Sequence, residues 1–583
     1  MSWFLGGVGH FNKEFLSTIK QLTPPPLMQT ASDSIFLFAG GIPNTCKFKL
    51  DDSHQKKSWL QVGIGISQKS PKKILSNDDW NQIVTNGEID KIEIDGHYVL
   101  LSWDLDRIIF VTDKLGLRDF YYCSDARGNI FYSTRIDWLA KLIPTEINFE
   151  EFGSRWLLFN QISSNSVLKN ITRVIGGQSI KIDRKTKKIF LTKNKFPTST
   201  HNLDYQPKDF DDLLSELISF SLASNEISLS FSGGMDSRLL FSYLLGNKKR
   251  NWDAHTFGDE NHPDAVIAKR ICNDFGIPHR QIDIPQPSPD QFILELKDYV
   301  GQTVVNNCAS SFLQLRNYYG LECGNQIVID GGFGEIWRRE FFNRFLLLGS
   351  KFILKRDFEK IIPHMCLHRA DIFSEGVNRI MVEGNKKQLE IIFSELPSPE
   401  KIGLENWIDL FAAKTRITNY YSHEQSRLDL IVTSYMPFLQ PSMLDELFAA
   451  PVNQRKNGKL FRTLIKNNAE NLSKYPLVKG QMVVPFWMNT LQSRVWNLIR
   501  KKILRKSAGM GRRRKLFTDM TSLILDIFNS KSVKGCNFYD QKKITTLIEN
   551  LYKGNYEERI LNDLDWWLSF ELFRQQIEKS NSF

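Results

Sequence analysis

Between Ser34 and Asp183 the apolar residues come in short runs closed by turn formers: Ser34–Phe38, Tyr98–Trp103, Ile108–Thr112, Asn129–Ser133 and Gln178–Ile182. Runs of this length, rich in β-branched and aromatic residues, predict strands, and their spacing predicts an antiparallel, sheet-rich unit. The polar stretch from Lys193 to Lys208, with Pro197 and Pro207, reads as a linker. Beyond it strands and helices alternate. Ile227–Phe231 reads as a strand, Asp236–Leu245 as a helix, Ala254–Phe257 as a strand, Asp264–Phe275 as a helix and Gln326–Asp330 as a strand. Such alternation predicts a parallel sheet covered by helices. After Gly334 the pattern is mainly helical, and no internal repeat or long low-complexity segment interrupts it. The expected organisation is a first domain over 1–192, a linker over 193–208 and a second domain over 209–583.

The chain's 583 residues suffice for several cores, and 42% hydrophobic with 24% charged residues is an ordinary globular composition. The seven cysteines form no Cys-x-x-Cys pair, which fits reduced thiols and a cytoplasmic location better than a disulfide framework or structural zinc. The apolar start, Met-Ser-Trp-Phe-Leu-Gly-Gly-Val-Gly, lacks the basic lead of a signal peptide. No stretch of about 18 apolar residues suggests a membrane span.

The segment Ser228-Leu229-Ser230-Phe231-Ser232-Gly233-Gly234-Met235-Asp236-Ser237-Arg238 carries the chemistry: a strand, a glycine-rich turn, then a helix start. Two glycines let backbone N–H groups turn inward, the helix N-terminus adds positive potential, and the Ser232 and Ser237 hydroxyls can bond phosphate oxygens. A carboxylate at Asp236 beside phosphates makes sense if it holds a magnesium ion.

Ser-Gly-Gly-Met-Asp-Ser resembles the pyrophosphate-binding loop of ATP pyrophosphatases, and its surroundings resemble the asparagine synthetase family. Asp113-Lys114-Leu115-Gly116-Leu117-Arg118-Asp119-Phe120-Tyr121-Tyr122 and Phe131-Tyr132-Ser133-Thr134 are similar to strands of the family's N-terminal domain. Thr256-Phe257-Gly258, Pro263-Asp264-Ala265, Met436-Pro437-Phe438-Leu439, Lys479 with Pro485, and the tail from Leu564 to Phe573 match the family in order. The resemblance implies an Ntn-hydrolase-like antiparallel sandwich followed by a parallel-sheet ATP pyrophosphatase domain with a largely helical C-terminal portion. It also implies ATP and Mg2+, a carboxylate activated as acyl-adenylate, and an amine that completes an amide. By motif, Ser232, Gly233, Gly234, Asp236 and Ser237 would hold pyrophosphate and magnesium, Phe231 and Phe257 would flank the adenosine, and Lys479 would neutralise charge at the reacting centre. Asp330 and Gly331 belong to the segment where the family has Leu-Ser-Gly-Glu-Gly-Ala-Asp-Glu. There Gly332 replaces the glutamate that serves incoming ammonia, and Glu335 stands where the second metal-binding aspartate should be, so the acceptor is expected to be a different amine.

Family members that use glutamine carry an N-terminal cysteine nucleophile. Here the second residue is Ser2, and no His-Arg-Gly-Pro-Asp segment follows. The expectation is a domain that keeps the glutaminase-like fold without hydrolysing glutamine, as in relatives that close β-lactam rings or cyclise peptides, including the lasso type. The same loop with the basic charge admits a tRNA-modifying ATP pyrophosphatase, against which the full N-terminal domain argues. Gly332 and Ser2 admit a non-catalytic scaffold, against which Asp236 and Lys479 argue. His364, Cys366 and His368 place two imidazoles at helical spacing, with packing the expected role for want of a third ligand. The aromatic residues near the C-terminus are expected in the core. Of the net charge of +11, Arg500–Lys515 contributes nine basic residues and no acid, so the excess is one local patch. A solvated loop, or a dock for an acidic peptide or partner, would explain it, and a nucleic-acid role is not expected.

Overall fold

The computed structural model describes residues 2–51, 57–87, 93–193, 207–224, 226–246, 251–282, 287–305, 309–323, 326–479, 482–488, 492, 511–554 and 557–580. Two six-stranded antiparallel sheets come first. One runs, edge to edge, Ile171–Arg173, Tyr121–Ser124, Ile130–Ser133, Trp3–Val8, Ile35–Gly40 and Met28–Ala31. The other runs Ile189–Lys193, Gln178–Asp183, Arg107–Thr112, Ile94–Trp103, Ser58–Ser67 and Cys46–Lys49. They face each other across one core, in which Phe4, Val8 and Leu37 of the first meet Leu60, Val62 and Val99 of the second.

Alternation sends successive side chains of a strand to opposite faces. In Trp3–Val8 both faces are buried: Phe4 and Val8 enter the sandwich core, while Trp3 and Leu5 join a second core with Trp138 and, further along the chain, Phe570. A doubly covered strand has no polar face, which is why periodicity alone leaves this segment unassigned.

The second half is built on a five-stranded parallel sheet in the order His279–Ile282, Trp252–Phe257, Ile227–Ser230, Ile327–Ile329, Thr433–Tyr435. Helices Met235–Leu245 and Pro263–Phe275 follow their strands as the alternating pattern predicts. The strand Thr433–Tyr435 is a departure from that pattern, since it lies in the mainly helical region and extends the sheet past Ile327–Ile329. The chain leaves Ile227–Ser230 toward one edge and returns to fill the other. The ends of Ile227–Ser230 and Ile327–Ile329 therefore mark the topological switch point, where open α/β sheets bind ligands.

The two halves share their cores. Ile64, Ile66, Leu115 and Leu117 pack with Leu217, Phe438 and Leu444 of the second half. Trp156 meets Trp566 at 5.1 Å and Phe152 meets Phe570 at 5.2 Å, so the closing helix Glu558–Ser580 lies against the first half, its aromatic residues in the core as expected. Most of the segment read as a linker lies outside the described residues.

Candidate active site

The strand Ile227–Ser230 ends in a turn and the helix Met235–Leu245 begins at Gly234, which leaves the first helical N–H groups without a side-chain cap. Within the turn, Ser232 N–H donates to Ser237 Oγ at 3.1 Å, Gly234 N–H donates to Ser232 Oγ at 3.1 Å, and Gly233 N–H donates to Asp264 Oδ1 at 2.8 Å. The expected loop residues are thus held as one unit. Gly233 is required by close approach, because a Cβ there would lie 2.3 Å from Val478 Cγ2.

Val478 belongs to the short hairpin of Leu477–Lys479 and Met482–Val484, which docks on the loop through Val478 N–H donating to the Gly233 carbonyl at 2.9 Å. Arg238 fastens the same junction from below: its guanidinium is buried and donates to the carbonyls of Gly233, Tyr475 and Pro476 at 3.1, 2.7 and 2.7 Å. Lys479 is brought to the glycine-rich loop in this way, about 240 residues away in sequence.

Asp236 is gripped by Arg338, whose Nε and Nη2 donate to its two carboxylate oxygens at 2.6 and 2.7 Å. Arg338 also pairs with Glu340 at 2.5 Å, and Glu340 accepts from Lys479 Nζ at 3.2 Å. The four side chains form an alternating series of charges across the site. Burial raises the Asp236 carboxyl to about 6, opposed by Arg338 and reinforced by Glu335 and Glu340. Burial also lowers the Lys479 ammonium below the usual lysine value, with Glu340 opposing.

Asp330 and Gly331 follow the strand Ile327–Ile329, across the switch point. A Cβ on Gly331 would lie 3.0 Å from Ser237 N, and one on Gly334 would lie 2.4 Å from Asp236 Cγ, so both glycines let the two loops close on each other. Asp330 accepts from Gly332 N–H at 2.7 Å, and burial raises its carboxyl. Gly332 has little room for a side chain: its Cβ would stand 2.5 Å from Met436 Sδ and 3.0 Å from Asp330 Oδ1.

Glu335 Oε2 is buried without a hydrogen-bond partner, and Glu335 lies close enough to raise the Asp236 carboxyl. An orphaned buried carboxylate oxygen beside a second carboxylate and a glycine-rich loop fits magnesium, which usually takes only one or two protein carboxylates and completes its shell with phosphates or water. No cluster of three or more His, Cys, Asp or Glu suited to a metal occurs among the described residues.

Two aromatic expectations separate. Phe257 ends its strand half-buried, edge-on to Tyr318 and Tyr319 at 5.3 and 5.0 Å. The Phe231 ring is 1% exposed and stacked on Phe241 at 4.5 Å, so anything Phe231 offers a nucleotide comes from its main chain. Sequence reasoning missed Arg338, Glu340 and Arg238. Arg238 directly follows the loop, and Arg338 and Glu340 stand three and five positions after Glu335, so proximity to residues already assigned to the site was the available signal, although no motif names them.

His364 and His368 do not share a helix face. The helix Phe358–Met365 ends at extended Cys366; His364 stacks on Phe352 at 5.8 Å, and His368 bonds Asp563 at 2.9 Å. Most of Arg500–Lys515 lies outside the described residues, and at its end Arg513 pairs with Asp565 at 2.9 Å. The six described cysteines are all free thiols, and no helix among the described residues is long and apolar enough to cross a membrane.

Ser2 is fully buried between the halves. Its N–H donates to the Asp429 carbonyl at 3.1 Å and its Oγ accepts from Gly63 N–H at 3.3 Å. Asp429 itself bonds His97 Nε2 at 2.8 Å and pairs with Arg118 at 3.2 Å, all three side chains being buried.

A two-layer antiparallel sandwich joined to a parallel sheet, with Ser-Gly-Gly-Met-Asp-Ser at the sheet's switch point, is the arrangement that the resemblance to the asparagine synthetase family implies. The chain is similar to the microcin J25-processing protein McjC of Escherichia coli, 23% identical over 227 residues, which is 38% of this chain and 41% of that protein. The match therefore spans less than half of the relative's length. No family model matches the chain. Among solved structures, the glutamine phosphoribosylpyrophosphate amidotransferase of B. subtilis complexed with ADP and GMP is 11% identical, over 58% of this chain and 71% of that one, with a TM-score of 0.19. A structure of the allosteric regulatory enzyme of purine biosynthesis is 10% identical, over 67% and 86%, with a TM-score of 0.20. At such scores neither superimposes on this chain as a whole.

Proposed function

We propose that the protein is an ATP-dependent ligase that forms an amide bond, activating a carboxylate by adenylation. The observation that carries this reading is the convergence at one switch point of the Ser232–Ser237 loop, the carboxylates Asp236 and Glu335, and Lys479. A carboxylate oxygen of the acid attacks the α-phosphorus of ATP and pyrophosphate leaves. An amine nitrogen then attacks the acyl carbon, the C–O bond to AMP breaks, and the amine gives up a proton. Negative charge gathers at phosphate in the first step, and preorganised donors and cations are the main source of stabilisation for such charge. The uncapped N–H groups at Met235, the loop hydroxyls and Lys479 supply them from this chain. Magnesium held by Asp236 and Glu335 would neutralise the pyrophosphate.

In this reading residues 1–192 form a glutaminase-like domain without glutaminase activity, since Ser2 is buried and its nitrogen is engaged by Asp429. The amine then comes from ammonia or from a substrate, and a cytoplasmic location suits the free thiols. The similarity to a microcin-processing protein favours a peptide as the source of carboxylate and amine, closed into a ring by the new amide. The test is magnesium- and acid-dependent release of pyrophosphate from ATP, over a panel of small acids, sugar acids and peptides. Absence of pyrophosphate above background with every acid would overturn the reading.

A further inference from the structure

Beside the phosphate loop, a cavity of about 250 Å³ lies between the sheet face of Ile327–Ile329 and Thr433–Tyr435 and the helices that cover it. Asp330 forms part of its wall, and so do Tyr299, Tyr319, Tyr420, Tyr421 and Arg316. A cavity of about 150 Å³ suffices to hold benzene, so this one accommodates a single ring with a small polar group and not an extended chain.

Its charges are unevenly matched. Glu424 and Arg427 pair at 2.7 Å, and Arg427 donates further to the carbonyls of Tyr299 and Val304 at 3.0 and 2.9 Å. Arg316 forms no ion pair or hydrogen bond with any described residue. Its Nε is buried without a partner, and its guanidinium lies 5.9 Å from the centre of the Tyr299 ring. Asp298, the carboxylate that acts most strongly on Arg316, is itself engaged by Arg135 at 2.7 Å. Asp330 has no cationic partner among the described residues either, its contacts being Gly332 N–H and the Ser230 hydroxyl. A buried charge left unpaired is costly unless a ligand completes it.

One unmatched cation and one unmatched carboxylate in an aromatic-walled cavity suit a zwitterion with an apolar body. We propose that this cavity binds a single α-amino acid with an aromatic or branched apolar side chain, its carboxylate on Arg316 and its amine toward Asp330. The tyrosine rings enclose the side chain. Asp330 adjoins Gly331, which packs on the phosphate loop, so the bound amine stands at the end of the cavity next to the ATP site. Naming this amine the acceptor rests on the form of the ligase reading in which the amine comes from a separate molecule and not from the peptide itself; the binding does not.

The experiment is calorimetric titration of the full chain with L-phenylalanine, L-phenylalaninamide and 3-phenylpropionate. Phenylalanine should bind, and loss of either charged group should weaken binding by about tenfold or more, the scale of a charge-assisted hydrogen bond. Arg316→Met should erase the preference for phenylalanine over its amide while leaving Mg-ATP binding unchanged. If that variant does not fold, the three ligands on the unaltered protein decide the matter. No binding of phenylalanine up to its solubility limit, equal binding of all three, or an undiminished preference in Arg316→Met would overturn the proposal. Pyrophosphate release with no amino-acid binding would sink this inference and leave the ligase reading standing. Amino-acid binding with no pyrophosphate from any acid would do the reverse.

Discussion

Arg338 holds Asp236 with two hydrogen bonds, from Nε and Nη2 at 2.6 and 2.7 Å, and so occupies both oxygens of the carboxylate expected to bind metal. Each oxygen keeps a second lone pair for a metal ion, but the guanidinium already neutralises the charge that would attract one. Arg338→Met should therefore cost about 3–5 kcal/mol of stability, the scale of breaking a buried pair. Added magnesium should recover part of it. The check is thermal unfolding with and without Mg2+: the rise in Tm should be larger in the variant than in the parent.

Lys479 presents the hairpin's one ammonium to the site, bonded to Glu340 at 3.2 Å. Lys479→Met should lower pyrophosphate release by about 10²–10³-fold, the usual effect of removing one preorganised donor, with little change in Tm. Steady-state rates at saturating ATP will show it.

Gly334→Ala tests the closeness of the two loops. Its Cβ would stand 2.4 Å from Asp236 Cγ, and Asp236 cannot retreat without leaving Arg338. The variant should fold, with a loss of about 1–3 kcal/mol from overpacking, and should bind Mg-ATP more weakly. Equilibrium dialysis with ATP and a denaturant melt separate the two effects.

Asp429 anchors the junction of the halves through His97, Arg118 and its carbonyl contact with Ser2. Asp429→Ala should destabilise by about 3–5 kcal/mol because it strands buried Arg118. Ser2→Cys should release no glutamate from glutamine, since the residue stays enclosed and its nitrogen engaged. A glutaminase assay on that variant gives the answer directly.

His423 predicts an acid-sensitive step. Burial lowers its imidazole to about 3, although Asp119 at 2.7 Å opposes the shift. The unfolded chain binds the proton near pH 6.5 and the folded chain does not, so stability rises with pH between about 3 and 6.5 and is lost on acidification through that window. At pH 5 this single group should cost about 2 kcal/mol relative to pH 7.5. Comparing Tm at the two values, the fall should be smaller in His423→Gln than in the parent.

How far the chain could be read depends on the distance between partners. The strand Ile227–Ser230, the turn and the helix after it are contiguous, and their composition answers to local requirements: glycine where Val478 presses on Gly233, hydroxyls where N–H groups need acceptors. Strands with one covered face, such as Arg107–Thr112, alternate buried and half-buried residues and were legible for that reason. Fully buried strands were legible where turn formers close an unbroken apolar run, as at Ile35–Gly40 and Ile130–Ser133, whereas glycines inside Trp3–Val8 and Ser58–Ser67 interrupt the run. The three-residue strand Thr433–Tyr435 carries too few positions to show a period among helices.

The local physics of the backbone settled the glycine-rich turn between strand and helix, the alternation of strand and helix, and the order of antiparallel strands before parallel ones, since each follows from spacing within a few residues. Packing settled the rest. Arg338 reaches Asp236 across 102 positions and Lys479 reaches Glu340 across 139, so neither pairing leaves a mark on the neighbouring sequence. The burial of Ser2 under Asp429, the seating of the closing helix on the first half, and the tyrosine-walled cavity with its unmatched Arg316 and Asp330 arise in the same way. They depend on which surfaces meet once the hydrophobic faces are covered, and that is a property of the whole fold.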